Sequence, residues 1–124
     1  MNSKLYAKAA GVVLLLIGVI GPLQPHLLGM DLSKRHSAVH VLTGALLAWA
    51  GFTGAAESLT KNIVLVFGAI YTILGVWGFF TPMIVGDLRI FHTDVITNCI
   101  HLVVGLAGMA AAMMGGAGAA PKAA

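Results

Sequence analysis

Four apolar stretches of membrane-spanning length dominate this sequence and leave few alternatives for its fold. They run over about residues 6–23, 36–56, 62–80 and 94–114, and each approaches or falls within the roughly 17–25 residues that cross the hydrocarbon core as a helix. The alternation of apolar and polar residues expected of a barrel strand is absent, whereas a helix satisfies its own backbone groups in lipid. The sequence therefore predicts an all-α, four-helix transmembrane bundle, with the lipid bilayer as its first partner.

Composition and charge agree with a membrane protein and argue against nucleic acid as a partner. Of the 124 residues, 59% are hydrophobic and 9% are charged, against about 25% charged in soluble domains. The net charge is +3, but the basic residues lie at segment ends and do not interleave with aromatic residues. They divide four against three between the two sides of the bundle: Lys4, Lys8, Lys61 and Lys122 against Lys34, Arg35 and Arg89. This division favours cytoplasmic N- and C-termini, and we expect a bacterial inner membrane.

The two halves of the chain share an ordered pattern. The series Gly-x6-Gly-x2-Gly-x3-Pro-x3-Gly occurs twice, at an offset of 57 residues. Beyond four extra residues in the second connection the offset becomes 61, which pairs His40 and Gly44 with His101 and Gly105. We predict a tandem duplication of a helical hairpin within a single domain, residues 1–124. Repeat 1 covers about 6–56, repeat 2 covers about 62–114, and residues 115–124 form a flexible tail.

Glycines in the first and third stretches predict close helix packing. Small residues let helices approach where lipid supplies no hydrophobic drive for association. The glycines expected to line such faces are Gly11, Gly18, Gly21, Gly68, Gly75 and Gly78.

Two histidines at corresponding positions suggest a cofactor site. His40 and His101 fall at similar depth near one end of their helices, an arrangement that suits two axial imidazoles on a haem iron or one ligand each to two chlorophyll magnesium ions. Gly44 and Gly105, one turn later, would leave room for a flat macrocycle. In the alternative interpretation, the histidines form hydrogen bonds between helices and the glycines permit close helix approach.

A transition-metal site is a further interpretation. His36 and His40 share one helix face, and His26, His92, Met30 and Met83 lie in connections on the same side. Imidazole suits copper and zinc, and thioether sulfur selects Cu(I). No tight ligand motif such as HExxH accompanies these residues.

The phrases DLSKRHSAVHVLTGALLAWAGF and TNCIHLVVGLAGMAAA resemble an uncharacterised bacterial family of small four-helix membrane proteins, a domain of unknown function. That family carries His-x-x-His and His-[LV]-[LV]-x-Gly phrases at the starts of even-numbered spans. Here the first phrase reads HSAVH, with a spacing of four instead of three. The resemblance implies the four-helix fold and no particular activity.

The chemistry-bearing motifs of common enzymes are absent from the sequence. It contains no GxSxG motif, P-loop or dinucleotide fingerprint, and no charged residue at the centre of a span. We therefore expect a non-enzymatic accessory or scaffold subunit, packed against other membrane protein subunits in a larger complex. The two alternatives are a tetrapyrrole-binding redox or pigment protein that uses His40 and His101, and a metal-binding membrane protein with outer-face histidine and methionine ligands.

Overall fold

Four helices make up the described part of the chain, as the sequence predicts. The computed structural model describes residues 2–24, 26, 34–80 and 95–119, and only the backbone of 115–119. The helices are α1 (Ser3–Ile20), α2 (Lys34–Phe52), α3 (Glu57–Phe80) and α4 (Val95–Ala119). No strand occurs within the described ranges. The all-α bundle is confirmed.

Three of the four helices are long and apolar enough to cross a membrane. They are α1, α3 and α4, the last over Val95–Met114. The less apolar α2 begins with Lys34 and Arg35, and buries two histidines and a serine on its inner face. It nevertheless packs along the whole of α1.

Helix ends differ from the predicted spans for local reasons. α1 starts three residues early because the Asn2 side chain caps it, accepting a hydrogen bond from the Leu5 amide at 2.8 Å. α2 ends at Phe52, and the hydroxyl of the next residue, Thr53, donates a hydrogen bond to the Trp49 carbonyl oxygen. α3 begins at Glu57. α4 continues to Ala119, so the flexible tail predicted from residue 115 begins as helix. Proline, which disfavours helix at the preceding residue, first follows at Pro121.

The bundle has an apolar outer surface and an interior in which polar side chains lie beside a hydrophobic core that includes Leu14, Leu47 and Phe67. Its large hydrophobic side chains are largely exposed along all four helices, among them Val19, Leu42, Phe80 and Val103. The buried polar side chains are Ser3, His36, Ser37, His40, Thr60, Thr97, Asn98 and His101. An outer surface of this kind is suited to lipid, because exposing large apolar side chains to water costs free energy, whereas exposing them to hydrocarbon does not.

The helices associate as two antiparallel hairpins, α1 with α2 and α3 with α4. Packing within each hairpin is extensive, whereas contacts between the hairpins are few. The same glycine positions bring the helices together in both. A Cβ on Gly11 would meet Ala48, and one on Gly68, 57 residues later, would meet Met109, 61 residues after Ala48.

Further contacts repeat at these two offsets. Gly18 faces Val41, and Gly75 faces Leu102; Gly44 faces the Gly11 carbonyl, and Gly105 faces the Gly68 carbonyl. Gly78 faces Asn98, while Gly21 is the buried residue that follows α1. The glycines predicted to pack helices therefore lie at helix contacts, apart from Gly21, which ends its helix.

Lys4 ties the start of α1 to the end of α2. Its Nζ donates hydrogen bonds to the carbonyl oxygens of Ala50, Thr53 and Ala55 at 2.8, 3.2 and 2.8 Å. The last carbonyls of a helix lack partners within it and carry partial negative charge. A lysine ammonium with three donors suits that position.

Candidate metal centre

Three buried histidines from both hairpins converge near one end of the bundle. His36 and His40 come from α2, and His101 comes from α4; they are 1%, 5% and 3% exposed. One imidazole nitrogen from each lies within 4.8 Å of those from the other two. The ring centroids of His36 and His40 are 4.3 Å apart, and those of His36 and His101 are 5.8 Å apart.

Helix geometry explains why the three side chains meet. His36 and His40 are one turn apart on α2, so they share a face. His40 and His101 each lie six residues after the first residue of their helices, Lys34 and Val95. Gly18 and Gly75 hold α1 against α2 and α3 against α4 at this level. The two starting turns that carry the histidines therefore face one another across the bundle axis.

Aromatic and polar side chains surround the cluster. The Tyr71 ring on α3 stands edge-on to His101, with centroids 5.0 Å apart, and continues into Phe67 at 4.1 Å. Ser37, Thr97 and Asn98 are buried on the same helix turns as the histidines. No hydrogen bond reaches the buried Nδ1 atom of His40 from the part of the chain that the structure describes.

Three imidazoles at this spacing suit one metal ion. Zinc binds imidazole nitrogen at about 2.0–2.1 Å, so two ligands of a tetrahedral site lie roughly 3.4 Å apart. The observed limit of 4.8 Å requires only modest side-chain rotation to reach that spacing. Three protein ligands leave a fourth position for water or another ligand. Imidazole also suits copper and nickel.

The same geometry argues against a macrocycle between His40 and His101. The His36 ring contacts both rings and fills space that a flat tetrapyrrole held by those two ligands would need. A Cβ on Gly44 would meet the Leu15 amide at 2.8 Å, and one on Gly105 would meet the Thr72 amide at 2.5 Å. Gly44 and Gly105 both lie against a neighbouring helix, and their place beside a macrocycle stays a prediction.

An apolar groove borders the cluster on one side. It lies between α1 and α4, encloses about 270 Å³, and reaches His40, Tyr71 and His101 at its inner wall. At one end Tyr6 crosses it, and the Tyr6 hydroxyl donates to the Val104 carbonyl at 2.6 Å. The groove thus extends from the exposed Val13 and Val103 to the rings of His40 and His101.

The other residues predicted for a metal site are not part of this cluster as described. Met30, Met83 and His92 lie outside the described residues. His26 is exposed in the turn after α1. The sequence analysis did not predict Tyr71 as a neighbour of the histidines. Its only sequence signal is its spacing from Gly68 and Gly75, which places the three residues on one buried face of α3.

No protein-family model, curated protein or solved structure gives a significant match to this chain. The resemblance to small four-helix bacterial membrane proteins therefore stays a prediction.

Proposed function

We propose that this protein is a metal-binding membrane protein in which His36, His40 and His101 hold one zinc or copper ion. The observation that carries the proposal is the convergence of three buried imidazoles whose nitrogens lie within 4.8 Å of one another. Ionisable side chains inside a membrane protein are rare and are usually functional.

The protein's own residues define what such a centre would do. Three neutral ligands leave the full charge of the ion uncompensated, so an anionic or polar fourth ligand is favoured. The described side chains within the bundle around the cluster include no carboxylate. The proposed role is non-enzymatic binding of the ion, and the accessory-subunit role remains compatible with it, because exposed apolar faces surround the whole bundle.

We further infer that the two hairpins are copies of one ancestral hairpin. The repeated glycine contacts at offsets of 57 and 61 residues support this inference. If the hairpins are copies, His101 is the counterpart of His40. The counterpart of His36 is Thr97, which lies at the same offset of 61 residues. His40 and His101 would then occupy equivalent positions in the two copies, and His36 would be a third histidine that only the first copy contributes.

Metal content of the purified protein tests the proposed function. Protein stripped with chelator, re-equilibrated with zinc or with copper, and passed through a desalting column should retain one ion per chain. His36→Ala and His101→Ala should each weaken binding on the order of 100-fold, because loss of even an outer-shell partner costs 10–100-fold. His26→Ala is the matched control and should bind as the wild type does, since His26 is exposed and is not one of the three clustered histidines.

The proposal fails if folded wild-type protein retains neither ion, or if the cluster variants retain as much as His26→Ala. Helix content by circular dichroism establishes that each variant is folded. A Soret or chlorophyll absorption band that disappears in His40→Ala would instead favour the tetrapyrrole alternative.

A further inference from the structure

The three side chains of the histidine cluster are neutral ligands. An imidazole binds a metal through the lone pair of its uncharged ring, so His36, His40 and His101 bring no negative charge to an ion. Each of the three is at most 5% exposed, and an ion among them would keep its full charge in a poorly solvated place. The free energy of burying an ion rises with the square of its charge, so a divalent ion costs about four times as much as a monovalent ion of equal size.

The charges near the cluster on the described helices are positive. Lys34 and Arg35 directly precede His36 at the start of α2. His36 itself lies in the first turn of that helix, where the unpaired amide groups carry partial positive charge. Glu57, which has the one carboxylate side chain among the described residues, follows the opposite end of α2, and that end lies about 18 Å along the helix from His40 at 1.5 Å per residue. Positive surroundings repel a divalent ion twice as strongly as a monovalent one.

The space that adjoins the cluster is apolar. The groove that reaches His40 and His101 is lined mainly by alanine, valine, leucine and isoleucine side chains of α1 and α4. Zinc completes a site of three protein ligands with a water or another fourth ligand, and a buried water typically makes about three hydrogen bonds. An apolar groove serves such a water poorly. Cu(I) has a filled d shell and a single charge, and three imidazoles complete its coordination without a fourth ligand.

We propose that the cluster selects Cu(I), held by His36, His40 and His101 alone, over Zn(II) and Cu(II). The inference rests on the proposed function, metal binding by these three residues, and deepens it by naming the charge and the identity of the ion. It concerns binding alone, and the copper does not change its oxidation state.

Competition titrations of the full-length protein in phosphatidylcholine nanodiscs test the proposal. The protein is first stripped with chelator, and oxygen is excluded. Cu(I), generated with ascorbate, is titrated against bathocuproine disulfonate, and Zn(II) and Cu(II) are titrated against nitrilotriacetate without ascorbate. We expect the affinity for Cu(I) to exceed those for both divalent ions at least about 100-fold, because the burial penalty of the second charge amounts to several factors of ten. X-ray absorption of the Cu(I)-loaded protein should show three nitrogen ligands and the edge shape of three-coordinate Cu(I).

A matched pair of variants tests the role of charge. Thr97 lies one helical turn before His101, on the same face of α4, and lines the same groove. Thr97→Asp brings a negative charge to the site and should narrow the preference for Cu(I) over Zn(II) at least about tenfold. Thr97→Asn has nearly the same size and no charge, and should keep the preference of the wild type.

A second pair uses exposed positions, where substitution leaves the packing intact. Arg35→Gln removes a positive charge beside the cluster and should narrow the preference about threefold, the effect of one charge near the surface. Lys61→Gln, near the start of α3, should leave it unchanged. Helix content by circular dichroism establishes that each variant is folded, and the Arg35→Gln pair and the absorption spectra decide the question if Thr97→Asp does not fold.

Three results would overturn the proposal while leaving metal binding in place. They are a Zn(II) or Cu(II) affinity equal to that for Cu(I), a fourth ligand on Cu(I) in the wild type, and equal preferences in folded Thr97→Asp and Thr97→Asn. If folded wild-type protein binds none of the three ions, the proposed function itself fails, and the selection of Cu(I) fails with it.

Discussion

His36 and His101 meet edge to face across the two hairpins, with ring centroids 5.8 Å apart and an interplanar angle of 75°. This contact joins a residue of α2 to a residue of α4, the two helices that begin at the same end of the bundle. It brings the third histidine into a site that would otherwise have a matched pair, His40 and His101.

The first prediction concerns Thr97, which stands in α4 at the position that His36 occupies in α2. Thr97 is buried two residues after the first residue of α4, as His36 lies two residues after the first residue of α2. We expect Thr97→His to supply a fourth imidazole and raise zinc affinity at least tenfold, since it fills the open coordination position. Chelator competition measures the affinity, and Co(II) substitution reports tetrahedral geometry by its visible spectrum. Thr97→Val is the control, and unchanged affinity in folded Thr97→His would contradict the prediction.

The second prediction concerns pH. A histidine must be neutral to bind metal, so protons compete with the ion. Free imidazole titrates near pH 6.5, and we expect zinc retention to fall steeply as the pH is lowered from about 7 to 5. Retention by His26→Ala should follow the same curve. A pH-independent zinc content across this range would mean that the ligands are not imidazoles.

The third prediction concerns glycine packing. A Cβ on Gly11 would lie 2.5 Å from the Ala48 amide nitrogen, whereas a Cβ on Gly54 would meet nothing within 4 Å. Gly11→Ala must push α1 away from α2, and overpacking costs about 1–3 kcal/mol. This exceeds the roughly 1 kcal/mol that alanine gains over glycine in a helix. We expect Gly11→Ala to lower the melting temperature in detergent, while Gly54→Ala leaves it unchanged or slightly raised. Equal melting temperatures would contradict the packing described here.

The fourth prediction concerns the lysine at the end of α2. Lys4→Met removes donors from three carbonyl oxygens, and we expect it to lower the free energy of unfolding by about 1 kcal/mol, in the range of helix-end charge interactions. Lys61→Met, at the corresponding exposed position of α3, should change it little. The measurement is unfolding in detergent with increasing denaturing surfactant. A larger effect at Lys61 would show that charge, and not the contacts of Lys4, controls stability.

The fifth prediction concerns orientation. In a Cys99→Ala background, Gln24→Cys and Thr53→Cys place a thiol at opposite ends of the bundle, each at an exposed position. If the termini are cytoplasmic, a membrane-impermeant maleimide added to intact cells should label residue 24 and should label residue 53 only after permeabilisation. The reverse pattern would place the histidine cluster on the cytoplasmic side.

Much of the architecture follows from sequence because hydropathy, glycine spacing and helix length act locally. Hydropathy alone located all four helices, and the 57- and 61-residue offsets anticipated which glycines would meet partner helices. The sequence supports two separate hypotheses for these histidines: His36 and His40 with His92, Met30 and Met83 around a metal, or His40 and His101 around a macrocycle. Which faces of two hairpins meet depends on packing across the bundle, and no short-range pattern encodes the contact of His36 with His101. The Lys4 contacts escaped for the same reason.

Because contacts between the two hairpins are few, a metal ion bound by the histidine cluster would help to hold them together. Residues 40 and 101 are 61 positions apart in the chain, and an ion held by both would act as a reversible cross-link closing that long loop. Cross-links of this length remove several kcal/mol of chain entropy from the separated state, by roughly the loop-closure relation. Occupancy by metal would then set how firmly the two halves of the bundle hold together, and so how wide the gap between α1 and α4 can open to the bilayer.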